Sequence, residues 1–111
     1  EAIAEKLRAA LTRLEPAIRD FFDIDYLASQ NKINLDDRHL FQLVSEKLTV
    51  PGNPPIDLSQ SRKEKLKAQL NTELKPVLRP VDFERFDLDR AFNITTKVVQ
   101  MLPNCGRKIP S

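Results

Sequence analysis

Two Asp-x-Asp pairs, Asp23/Asp25 and Asp87/Asp89, have the residue types and spacing closest to metal or acid–base chemistry. Carboxylates two residues apart in an extended loop can converge on Mg²⁺ or Ca²⁺. A hard cation wants more oxygen ligands than a pair supplies, and neither pair has a glycine beside it to make the sharp turn of a calcium loop. Helix capping explains the same spacing: one Asp accepts the orphan N–H groups at the N-cap and the next meets the positive end of the dipole. Capping is the favoured reading. His39 has no second histidine, and its only sequence neighbours of interest are Asp36 and Asp37. A nucleophile for it would have to be Cys105 or a Ser or Thr, none of which stands in an elbow motif, so His39 reads as a helix-surface residue. Cys105 lies beside Gly106, Arg107 and Lys108, and the default for it is an inert tail thiol. Asn93-Ile94-Thr95 matches the glycosylation sequon but falls within a helical pattern. No catalytic residue, cofactor or metal site is read from these residues.

The composition narrows the classes further. The chain has 111 residues, 41% hydrophobic and 31% charged, which suits one compact domain and excludes a disordered tail. Two glycines rule out a glycine-rich nucleotide loop and disfavour a turn-rich β barrel. One His and one Cys exclude a zinc site built from this chain alone and any disulfide framework. The net charge is +2, with −2 over residues 1–50 and +4 over 51–111, so a basic face on the second half is compatible but not demanded. No apolar run is long enough to span a bilayer. An opening Glu1 without Met or an apolar leader reads as a domain cut from something longer or a processed product, and a cytoplasmic setting is the expectation.

Apolar residues recurring every three or four positions predict helices and no strand. Ile3, Leu7, Leu11, Leu14, Ile18 and Phe22 mark a helical stretch over 2–22 that Pro16 kinks or splits, with further helical turns toward Gln30. Asn34 reads as the N-cap of a helix to about Leu48, whose buried face is Leu40, Phe41, Val44, the Lys47 stem and Leu48. Three prolines and a glycine in VPGNPP (50–55) make a connector. Ser61 and Glu64 read as a capping box, followed by a stripe of Leu66, Leu70, Leu74 and Leu78 that Pro76 should bend or end. Pro80 starts the next segment, with Phe83 and Phe86 on one side, and a last helix spans 88–102. The expected fold is all-α, a bundle of four to five helices with a Pro-rich connector near 50–56. It forms one domain over 1–103 (N-terminal helices to 48, C-terminal helices from 57) and carries a flexible tail at 104–111. Residues 14–25 and 78–89 align without gaps with five identities in twelve, a possible duplicated helix–proline–helix unit.

Residues 88–102 resemble the helix-turn-helix pattern of DNA-binding regulators. Leu88 and Phe92 fit the first helix, Asn93 the turn, and Ile94, Val99 and Leu102 the buried side of the second. The resemblance implies that Thr95, Thr96, Lys97 and Gln100 face phosphates or base edges. One continuous amphipathic helix fits the same apolar residues. Arg62, Lys63, Lys65 and Lys67 form a basic run able to meet phosphates, though a solvated helix entry explains them too. With no catalytic constellation in view, the favoured function is a non-enzymatic interaction or regulatory module. It would bind another protein through a helix face, with Phe83, Phe86 and Phe92 as anchors. A DNA-binding regulator using 88–102 is the alternative, so the expected partner is a protein first and nucleic acid second.

Overall fold

Pro16 decides the first corner. The opening helical pattern breaks into α1 (Ala2–Thr12) and α2 (Ile18–Ser29), with Pro16 in the link between them. The computed structural model describes residues 2–34 and 36–102 and contains six α-helices, with no strand among those residues. Leu7 and Leu11 of α1 and Ile18 of α2 are fully buried as the spacing predicts, joined by Ala4, Ala10, Phe21 and Ile24, whereas Ile3 and Phe22 are half-buried and Leu14, in the link, is 79% exposed.

The third helix, α3 (Arg38–Leu48), starts later than Asn34. Asp37 is its N-cap and accepts from the His39 and Leu40 N–H groups, whereas Asn34 accepts from the Asp36 N–H in a turn one step earlier. Leu40, Phe41 and Val44 are buried as expected, joined by Ser45, while Lys47 and Leu48 are half-buried. The connector after it turns through Gly52, whose φ of +100° only glycine adopts readily. Asn53 tidies the end of α3 by donating to the Lys47 and Val50 carbonyls.

The fourth helix, α4 (Gln60–Gln69), is capped by Ser59, which accepts from the Arg62 N–H, so Ser61 and Glu64 are not its capping box. Beyond it the leucine stripe does not stay on a regular helix. Residues Leu70–Leu74 widen into a π turn in which the Lys75 N–H reaches the Leu70 carbonyl, and Lys75–Val77 tighten into a 3₁₀ turn. Pro76 lacks an N–H and crowds the turn before it, which accounts for the irregularity one turn earlier than Lys75. Leu66 and Leu74 are buried, and Leu70 and Leu78 half-buried.

Pro80 opens α5 (Pro80–Arg85), and α6 (Leu88–Met101) follows after one extended residue pair. Helix α1 packs on α3 and α2, and α2 packs on α6. Two side chains of α4 lock the α1–α2 corner across about fifty residues of sequence. Arg62 donates to the Arg13 and Ala10 carbonyls, both at 2.8 Å, and Gln69 accepts from Ile18 N–H while donating to the Pro16 carbonyl, again at 2.8 Å. The open ends of α1 and α2 are therefore capped from another helix rather than locally.

The 14–25/78–89 echo does not repeat one conformation. Phe22 lies within continuous α2, whereas its counterpart Phe86 ends α5 with extended backbone (φ −69°, ψ 134°). No described helix is long and apolar enough to cross a membrane.

Candidate functional site

The second half of α2 faces the α5–α6 corner. On α2, Phe22, Asp25, Tyr26, Ser29 and Gln30 recur at helical spacing and share one side. Opposite them stand Asp82, Arg85, Phe86 and Arg90, and together they line a cavity of about 480 Å³, within the range of small-molecule sites.

An ion pair between a buried carboxylate and a half-exposed arginine builds the floor. The Asp25 side chain is 6% exposed and receives Arg90 Nε at 2.6 Å on Oδ1 and a terminal guanidinium nitrogen at 2.9 Å on Oδ2. The Asp87 N–H also donates to Asp25, at 3.3 Å, and Arg90 donates to the Arg85 carbonyl at 2.9 Å. The hydrogen bond to Asp25 raises the Arg90 pKa further. This pair joins residues 65 apart and sets the α5–α6 corner against α2.

Aromatic rings form the walls. Phe22 stacks on Tyr26 with centroids 6.1 Å apart and meets Phe86 edge to face at 5.7 Å. Tyr26 keeps 51% of its surface exposed. Among the ionised groups here, Asp25 and Arg90 neutralise each other, and Asp82 pairs with Arg79 at 2.9 Å. Arg85 is exposed, and its backbone carbonyl rather than its side chain is the partner of Arg90.

The Asp-x-Asp pairs divide their work. Asp87 caps α6 by accepting from the Arg90 N–H, as capping predicts. Asp89, in the first turn of α6, pairs with Lys63 at 2.5 Å, a contact that lowers its pKa. Asp23 and Asp25 are not caps, because α2 begins at Ile18; Asp23 pairs with Lys6 at 2.8 Å. No three His, Cys, Asp or Glu side chains gather to hold a metal among the described residues.

The structure separates the expected nucleic-acid residues. Arg62 is buried, Lys63 lies over the Phe92 ring at 5.5 Å, and Lys65 and Lys67 are exposed. Helix α6 runs unbroken through Asn93, so no helix-turn-helix forms. Thr95 is fully buried and, like Thr96, donates its hydroxyl to the Phe92 carbonyl, while Lys97 and Gln100 are exposed. Of the phenylalanines, Phe92 stacks on core Phe21 at 5.6 Å, Phe83 sits under Lys75, and Phe86 lines the cavity. His39 is exposed at the start of α3, as expected. Cys105 lies outside the described residues. Tyr26, Arg85 and Arg90 carry no sequence signal of their own; of the residues in the echo, the equivalent phenylalanines Phe22 and Phe86 are two that meet.

The described residues thus form an all-helical bundle with an arginine- and aromatic-lined cleft. Residues 1–94 match the family described as nucleotidyl transferase AbiEii toxin, Type IV toxin–antitoxin system, and the chain belongs to that family. No curated protein and no solved structure matches. Membership in an enzymatic toxin family overturns the reading of a non-enzymatic interaction or regulatory module, and with it that of a DNA-binding regulator.

Proposed function

We propose that this chain takes part in nucleotidyl transfer as a helical unit that holds substrate. Its family membership over residues 1–94 carries the reaction class. In such a transfer an acceptor oxygen attacks the α-phosphorus of a nucleoside triphosphate. A P–O bond to the acceptor forms, the P–O bond to pyrophosphate breaks, and the acceptor proton passes to a base or to solvent. The developing charge is ordinarily met by Mg²⁺ on carboxylates. The Asp-x-Asp carboxylates do not fit a metal-holding role, since Asp23, Asp25 and Asp89 are held in ion pairs and Asp87 caps α6. No metal-dependent step is assigned to them, and the contribution of this chain is its cleft.

A toxin of a toxin–antitoxin system is paired with an antitoxin that counters it, so the protein partner enters this proposal as that antitoxin, with no contact surface assigned. Use of nucleoside triphosphates keeps the protein in the cytoplasm in this reading. The test offers the natural protein carrying this chain each of the four α-³²P-labelled nucleoside triphosphates with Mg²⁺, and RNA, DNA or protein as acceptor. Label is expected in one acceptor class with release of pyrophosphate. A cooperatively folded preparation that transfers none of the four overturns the proposal.

A further inference from the structure

We infer that the cleft between α2 and the α5–α6 corner binds a nucleoside 5′-phosphate, with its base on Tyr26 and its phosphate on Arg85. The class of ligand rests on the nucleotidyl-transfer reading; the location rests on the geometry alone.

Three observations converge on this cleft. Its volume of about 480 Å³ and its wall of Phe22, Tyr26 and Phe86 suit a flat aromatic ring. Tyr26 is backed by Phe22 at 6.1 Å yet remains half exposed, so one aromatic surface is held firm from behind and still reachable. The charges then point to a single phosphate. Asp25 is neutralised by Arg90 and Asp82 by Arg79, which leaves Arg85 as the lining cation with no ion pair among the described residues. A guanidinium of this kind takes phosphate oxygens in a two-pronged contact. Gln30, exposed at the end of α2, brings an amide that both donates and accepts to the rim, where a base edge would lie. Arg90, half exposed at the cleft, is already engaged by Asp25, and the pair acts as a positioning device, since it fixes the corner that carries Arg85.

The same nucleoside phosphate could arrive as a free nucleotide or as the end of an acceptor strand. Tyr26 is the only tyrosine in the chain, so its labelled ring resonances report on this cleft without ambiguity. The full chain is titrated with AMP, GMP, CMP and UMP, with adenosine as the base alone and ribose 5-phosphate as the phosphate alone. A trinucleotide ending in the best-bound base supplies the strand. At least one monophosphate is expected to move the Tyr26 ring signals saturably, about tenfold more tightly than its nucleoside. Arg85→Ala should erase that preference for the phosphate, and Tyr26→Ala, followed by calorimetry, should weaken binding about tenfold. Tighter binding of the trinucleotide identifies the strand end as the source, and equal or weaker binding identifies the free nucleotide. Unmoved Tyr26 signals at millimolar monophosphate overturn the inference, as does an unchanged phosphate preference in Arg85→Ala. Label transfer that persists with unaltered KM in both variants sinks this cleft while leaving the reaction class intact. Binding without any transfer does the reverse.

Discussion

Burial strips Arg62 of water, and the carbonyls of Ala10 and Arg13 at the end of α1 replace it. Desolvation lowers its pKa, with Asp57 and Asp20 acting against that shift through space. Its value lies in the orphan carbonyls it satisfies. Arg62→Met is expected to leave both unpaired and to lower stability by about 2 kcal/mol or more, read as a fall in the urea midpoint. Arg62→Lys should not restore it, because one ammonium nitrogen replaces a fork that spans two carbonyls. Carboxylates set the acid side. Hydrogen bonding to Arg8 lowers the Glu5 pKa, hydrogen bonding to Ser59 lowers that of Asp57, and hydrogen bonding to Lys63 lowers that of Asp89. Depressed pKa values add stability that is complete above the unfolded values near 4 and lost as pH falls through the folded ones. The melting temperature should therefore hold level above about pH 5 and drop below about pH 4, with a shallower drop in Asp57→Asn. All three groups lie near the surface, so each contribution is small.

At the scale of elements, the helix ends separate into two kinds. Asp37 and Asp87 cap α3 and α6 from their own sequence, and Asp37→Ala is expected to cost about 1 kcal/mol by chemical denaturation. Helix α2 has no side-chain cap of its own; Gln69 closes it from the far end of α4. Gln69→Ala should then fray the start of α2, seen as faster amide exchange at Ile18 and its neighbours with little change in α3. Pro76 is legible as a breaker, but the π turn over Leu70–Leu74 is not, because a missing N–H does not specify which irregular turn the residues before it adopt.

At the scale of the whole molecule, the fully buried ring of Phe21 sits at the α2–α6 seam of the bundle. Phe21→Ala is expected to cost about 3–5 kcal/mol. That is a large share of the ~5–15 kcal/mol typical of such domains, so the calorimetric melt should fall steeply. Net charge of +2 with most cleft charges paired means that a nucleotide held at one arginine responds weakly to salt. Log–log plots of affinity against salt should slope near −1, whereas a strand gripped at many phosphates would slope several times more steeply.

Helix content, Leu7 and Leu11 in the buried face of α1, that of α3, the proline breaks and the capping role of Asp87 were all written in the sequence. Those features depend on residues three or four apart, or on one ring that lacks an N–H, so local chemistry suffices to decide them. Tertiary structure alone decided the rest. It buried Arg62 out of its basic run, ran α6 straight through Asn93, and brought Asp25 to Arg90 and Phe22 to Phe86. Contacts across 62 to 65 residues have no period to read, because they follow from how one helix lies against another and not from what either helix is.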